Sequence, residues 1–257
     1  IIKAYLLQNL SDEIQRNSFT EVWKRIENTC KLSGESLQGI FNLYLYYLKN
    51  ENPKRALQDE LKEQFKNKNP QAVILDIEKF ANNVLEINSA NKDKDISMLK
   101  YLRQTIYWKS ILATAKQVDY TNYKELKSLI TKYYYQSWIA NGTSNRIKQT
   151  SFNILKKVKN KENIAKIKDL ITENLDKYDY YLDFLNNENA YWTNWHKPLL
   201  LSIEYYQQDE KDFIPILRGL HTEHVLPKEW DKEDLNWSDS FSKETAKPLL
   251  NSLGNLT

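Results

Sequence analysis

A chain that reverses direction often needs glycine and proline, and this one carries five glycines and six prolines in 257 residues. Sandwiches and barrels turn every few residues, so the scarcity predicts long helices and few strands. Hydrophobic residues make up 41% and charged residues 28%, enough apolar matter to bury a core and too much for a disordered chain. The length suits one large domain or two ordinary ones.

Helix signals recur along the chain. Ser18 with Glu21 reads as a capping box opening a helix through "FTEVWKRIENTC". In "NPKRALQDELKEQFKN" and "NPQAVILDIEKFANNVLEI" an asparagine precedes Pro53 and Pro70, the arrangement of an N-cap followed by proline in the first turn. Ile96, Leu99, Leu102 and Ile106 form one apolar stripe. Leu126, Ile130 and Tyr133 form a second, and Ile164, Ile167, Ile171 and Leu175 a third. "AYWTNWHKPLLLSIEYYQQ" predicts a further helix with Pro198 near its first turn. The tyrosine runs "YLYYL", "YYYQSW" and "YDYYLDF" could stack bases. Neighbouring helical residues point in different directions, which favours core and rim filling instead.

A net charge of +3 is too small to demand nucleic acid as a partner. The most basic stretch, residues 146–170, reads either as a DNA-backbone contact through Lys156 and Lys157 or as a solvated helix face. Cys30 is the single cysteine, which excludes an intramolecular disulfide and a multi-cysteine zinc knuckle and fits a reducing cytoplasm. No leader and no apolar run of roughly 18 residues is present, so a soluble cytoplasmic protein is expected. Both ends read as cut: "IIKAYLLQNL" starts inside an apolar-periodic segment and "NSLGNLT" stops at what looks like the start of a strand. A fragment of a longer protein is the expectation.

The sharpest cluster is "HTEHVLPKEW", residues 221–230, with two of the three histidines. His221 and His224 beside Glu223 could be half of a zinc site, but a structural zinc takes four ligands and no cysteine is near. They could also be ordinary surface histidines. The third reading is catalytic. Leu220, Val225, Leu226 and Pro227 suggest a short strand ending here, and at a strand end two successive side chains can address one cleft. The Glu223 carboxylate would suit a hard divalent cation, and the His224 imidazole could take a proton from water. Water would then attack phosphorus in line while the metal stabilises charge on the phosphate. A carbonyl or amide on the other ring nitrogen would fix the tautomer.

"TEHVLP" followed about thirty positions later by "SLGNLT" resembles the paired motifs of the C-terminal His-Asn-His nuclease domain of GmrSD-type restriction endonucleases. The opening "IIKAYLLQNLSDEIQRNSFTEVWKRIEN" is similar to the end of that family's N-terminal domain. The resemblance implies a mainly α fold, a multi-helix domain followed by a partial ββα-metal nuclease element. Residues 1–187 would be the helical region and 188–257 the first part of the nuclease domain. It implies a parent enzyme of phage defence that hydrolyses phosphodiester bonds in foreign, modified DNA with Mg²⁺ or Mn²⁺.

Carried over by position, His224 would be the general base and Asn255 would orient it or support its loop. Glu223 would hold the metal, His221 would help bind metal or phosphate, and Lys228 would contact DNA. His196, on the preceding helix, reads as structural. The family's third motif residue would follow Thr257, so this stretch alone should be inactive. The family's nucleotide-binding motif would precede Ile1, so nucleotide binding is expected only there. Two readings compete with this one: a non-catalytic helical module that binds DNA or protein with a degenerate nuclease motif, and a zinc-clipped structural domain.

Overall fold

The computed structural model describes residues 1–102, 104–140, 144–177, 181–207, 220–232 and 235–257. Its helices run in the order α1 (Ile2–Leu7), α2 (Glu13–Ser33), α3 (Leu37–Lys49), α4 (Leu57–Phe65), α5 (Pro70–Ser89), α6 (Lys94–Tyr101) and α7 (Thr105–Gln117). They continue with α8 (Tyr123–Ile139), α9 (Ser144–Lys159), α10 (Ile164–Leu175), α11 (Tyr181–Leu185), α12 (His196–Gln207) and α13 (Lys243–Leu249). The mainly helical expectation holds. Among the described residues none forms a strand, and no helix is long and apolar enough to cross a membrane.

The helix starts separate true caps from look-alikes. Asn69 caps α5 as expected, its side chain accepting from the amides of Gln71 and Ala72. Ser18 does not open α2. That helix begins five residues earlier, where the Asp12 carboxylate accepts from Ile14 at 3.1 Å. Asn52 and Pro53 do not open α4 either, since it starts at Leu57. The chain ahead of it is tied down by Glu60, whose carboxylate accepts from the amides of Lys54 (2.8 Å) and Arg55 (3.0 Å) and from Lys49 Nζ (2.7 Å).

The stripe through residues 96–106 spans two helices. Leu102 is extended and Gln104 has a positive φ of 61°, yet Ile96, Leu99 and Leu102 are all buried. Both helices feed one core, so apolar spacing runs on across the break.

In the core, α2 lies along α5, and α7 sits centrally against α3, α5, α8 and α9. Trp108 on α7 is wholly buried. The tyrosine runs fill this core: Tyr44, Tyr133, Tyr134 and Tyr135 are buried, and the Tyr44 hydroxyl donates to Asp76 Oδ2 at 2.6 Å. Burial and that carboxylate push the Tyr44 phenol far above its ordinary range. Tyr178 and Tyr180 lie outside the described residues.

A second apolar cluster positions the site. Ile139, Ala190 and Trp195 are buried together, with Trp138, Tyr181, Phe184, Leu185, Leu199 and Leu253 packed against them. It joins the end of α8 and α11 to the 3-10 turn Ala190–Trp192, to α12 and to the turn Leu253–Asn255. Apolar packing therefore runs straight across position 187/188, the boundary expected between helical region and nuclease element.

Candidate functional site

The cluster segment and the last residues meet as two short extended pieces. Glu223 and Thr257 exchange both backbone hydrogen bonds, at 2.8 and 3.0 Å, and the Val225 amide donates to the Asn255 carbonyl at 2.9 Å. His224 and Leu256 form an isolated antiparallel bridge. Pairing stops there because Pro227 has no amide to offer and residues 253–255 curl into the 3-10 turn. The expected strand is thus one bridge long, and no ββα element forms among the described residues. Gly219, ahead of the cluster, and Glu233 and Asp234 in the loop after it lie outside them.

Asn255 is the clamp of this junction. Its Oδ1 accepts from the Leu226 amide at 2.6 Å, and its Nδ2 donates to the carbonyls of Leu226 (3.1 Å) and Leu250 (2.9 Å). It is buried, so the amide is fully engaged with backbone and does not reach His224. The residue beside the imidazole is Asn251, whose Oδ1 lies 3.5 Å from His224 Nε2. The Asn251 carbonyl in turn accepts from the Tyr191 amide at 2.9 Å.

Tyr191 is the hub of the facing wall. Its ring centroid is 4.7 Å from that of His224 and 5.6 Å from that of His196. Lys228 Nζ sits over it at 4.5 Å and over Trp192 at 5.5 Å. Buried His196 bonds the Thr193 carbonyl through Nδ1 (2.7 Å) and the Thr222 hydroxyl through Nε2 (3.0 Å). A carbonyl only accepts, so Nδ1 carries a proton. Both nitrogens are spent, as befits a structural histidine.

These contacts fix which side chains share a face. Thr222 and His224 both reach the 191–196 wall, and alternation along the extended segment turns His221 and Glu223 to the opposite, exposed side. Glu223 is exposed and His224 half-exposed on this segment. Among the described residues no three His, Cys, Asp or Glu side chains gather as a metal cage.

Of the basic-stretch lysines, Lys156 on α9 is exposed. Lys157 is paired with Glu162 at 3.2 Å, which, as the main cause, lowers that carboxyl below its usual range. Lys159, next in the same run, turns inward and donates to the carbonyls of Tyr47 (2.7 Å) and Leu48 (2.8 Å) at the end of α3. Burial lowers its pKa from the usual lysine value. It ties helices together and is not free to meet phosphate.

The described residues thus define a helical scaffold presenting a half-exposed imidazole, an asparagine beside it, and a cation over half-buried Tyr191 and exposed Trp192. Residues 145–257, the site included, match the family described as GmrSD restriction endonucleases, C-terminal domain. No curated protein and no solved structure matches the chain. Sequence reasoning missed Asn251 and Tyr191. The available signal for Asn251 was a second asparagine in "NSLGNLT"; nothing in the spacing marks Tyr191.

Proposed function

We propose that the protein is a restriction-type DNA endonuclease and that His224 is the general base of phosphodiester hydrolysis. The observation that carries this reading is the placement of His224 inside the family match, pinned by the Leu256 bridge and flanked by Asn251. With Asn251 presenting its oxygen, Nε2 carries the ring proton and Nδ1 keeps the lone pair. A bond of 3.5 Å is long, but such contacts tighten around bound substrate.

In this reading Nδ1 takes a proton from water. The water oxygen bonds to phosphorus as the bond to the leaving oxygen breaks, and the leaving oxygen acquires a proton from solvent. The imidazolium keeps its Nε2 bond to Asn251, so the base is held in one orientation through the step. Lys228, over Tyr191 and Trp192, provides positive charge where the phosphate oxygens gather. Asn255 acts through the backbone, holding Leu226 so that His224 and Lys228 stay in register. Exposed Lys156 would contact the DNA backbone, and Lys157 would do so by leaving Glu162.

Dependence on Mg²⁺ or Mn²⁺, with Glu223 and His221 as ligands, belongs to the proposal, as do cleavage of modified foreign DNA and a role in phage defence. No step above runs through a metal. The test is conversion of supercoiled plasmid to nicked and linear forms by the intact protein, with and without chelator. Cleavage that chelator abolishes, and that is lost in His224→Gln, supports the reading; a His224→Gln variant that cuts normally refutes it.

A further inference from the structure

Trp192 is the largest side chain of the site with nothing to do in the chemistry. It stays 69% exposed, although burying an indole is among the larger gains a fold can make. Its ring and that of Tyr191 meet near a right angle, centroids 4.8 Å apart and planes at 86°. The near-perpendicular contact leaves most of the indole in solvent. The backbone beneath it is held as well: the Trp192 amide donates to Asn189 at 3.1 Å, and Tyr191 is bonded to Asn251. This is a rigid aromatic plate, open to solvent, on the wall that contacts His224.

A cation lies over part of the ring. Lys228 Nζ lies 5.5 Å from the Trp192 centroid and 4.5 Å from that of Tyr191. An ammonium held beside an exposed indole offers two contacts at about the spacing of a nucleotide, a π-face for a base and a cation for its phosphate. Apolar protein partners would gain from the indole but not from the cation beside it.

We propose that Trp192 stacks an unpaired nucleobase next to the phosphate that His224 addresses, while Lys228 takes the phosphate of that same nucleotide. The inference rests on the endonuclease reading for the identity of the polymer. It adds that the substrate is engaged with at least one base out of its duplex stack, so frayed, nicked or single-stranded DNA binds better here than intact duplex.

The test measures binding of the intact protein to two fluorescent twelve-residue probes, a single-stranded oligothymidylate and its abasic counterpart with the same phosphates. Trp192→Ala should weaken oligothymidylate binding about tenfold and leave the abasic probe unchanged, and Trp192→Phe should restore most of the loss. Lys228→Gln should weaken both probes and reduce the salt dependence by roughly one phosphate contact. Equal affinity of Trp192→Ala and the unaltered protein for oligothymidylate overturns the proposal, as does equal loss on both probes or no binding at all. His224→Ala, assayed for cleavage, reports separately on the endonuclease reading. Lost cleavage with an unaffected Trp192→Ala sinks the stacking claim alone. Normal cleavage with a probe-selective Trp192→Ala effect sinks the role of His224 alone.

Discussion

Asn255 holds Leu226 and Leu250 by three hydrogen bonds from one buried amide, whereas Asn251, four residues earlier, is half-buried and faces His224. Asn255→Ala leaves the Leu226 amide without its acceptor in a buried site, at a cost of about 2–3 kcal/mol in urea unfolding. Asn251→Ala should cost less than about 1 kcal/mol in stability and lower the cleavage rate instead. Both asparagines were visible in "NSLGNLT". Which of them reaches the ring depends on the 3-10 turn at Leu253–Asn255, which motif spacing does not encode. Glu60 carries a pH signature of its own. It is 2% exposed, and its pKa falls from the usual 4.5 to about 2, chiefly through Lys49 and the Lys54 amide. A folded-state pKa below the unfolded one gives stability that is present above pH 4.5 and lost as pH falls toward about 2. The melting temperature should therefore drop across that window, and Glu60→Gln, less stable at neutral pH, should show a shallower drop.

At the scale of elements, α9 is two-sided. Ile154, Leu155 and Val158 are buried, Lys159 reaches the end of α3, and Lys156 faces solvent. Lys159→Ala removes a cation from two helix-end carbonyls and should cost about 1–2 kcal/mol. Lys156→Glu should leave stability within about 0.5 kcal/mol and weaken DNA binding with a smaller salt dependence. Reversing charge along the whole basic run would confuse the two effects. Apolar spacing was enough to find α8 and α10, whose stripes are buried or packed against the core as read. Boundaries were less legible, because Ser18 and Asn52 have the right chemistry for caps in places where tertiary packing puts helix interior or extended chain. The pair at residues 223–225 and 255–257 was read as strand from its apolar flanks, but Pro227 and the closing turn limit it to a bridge.

Across the whole molecule, the site is not an appendage. Trp195, Ala190 and Leu253 on the site side pack against Ile139, Trp138, Phe184 and Leu185 from α8 and α11, so the helical body sets where the 191–196 wall stands. Trp195→Ala should cost about 3–5 kcal/mol by urea unfolding and reduce cleavage, although Trp195 is not among the side chains that face the proposed phosphate. Composition and helix periodicity made the helical body legible, and "TEHVLP" with "SLGNLT" located His224. The wall built by Tyr191, Trp192 and His196 was not legible, because it depends on the turn that brings Tyr191 to the Asn251 carbonyl. The single-turnover rate of DNA cleavage by His224→Ala in the intact protein measures the role of His224 as the base most directly. The ring is half-exposed, so the variant should melt within a few degrees of the unaltered protein and cleave at least about a hundredfold more slowly. A folded variant that cleaves within twofold of the unaltered rate would contradict it.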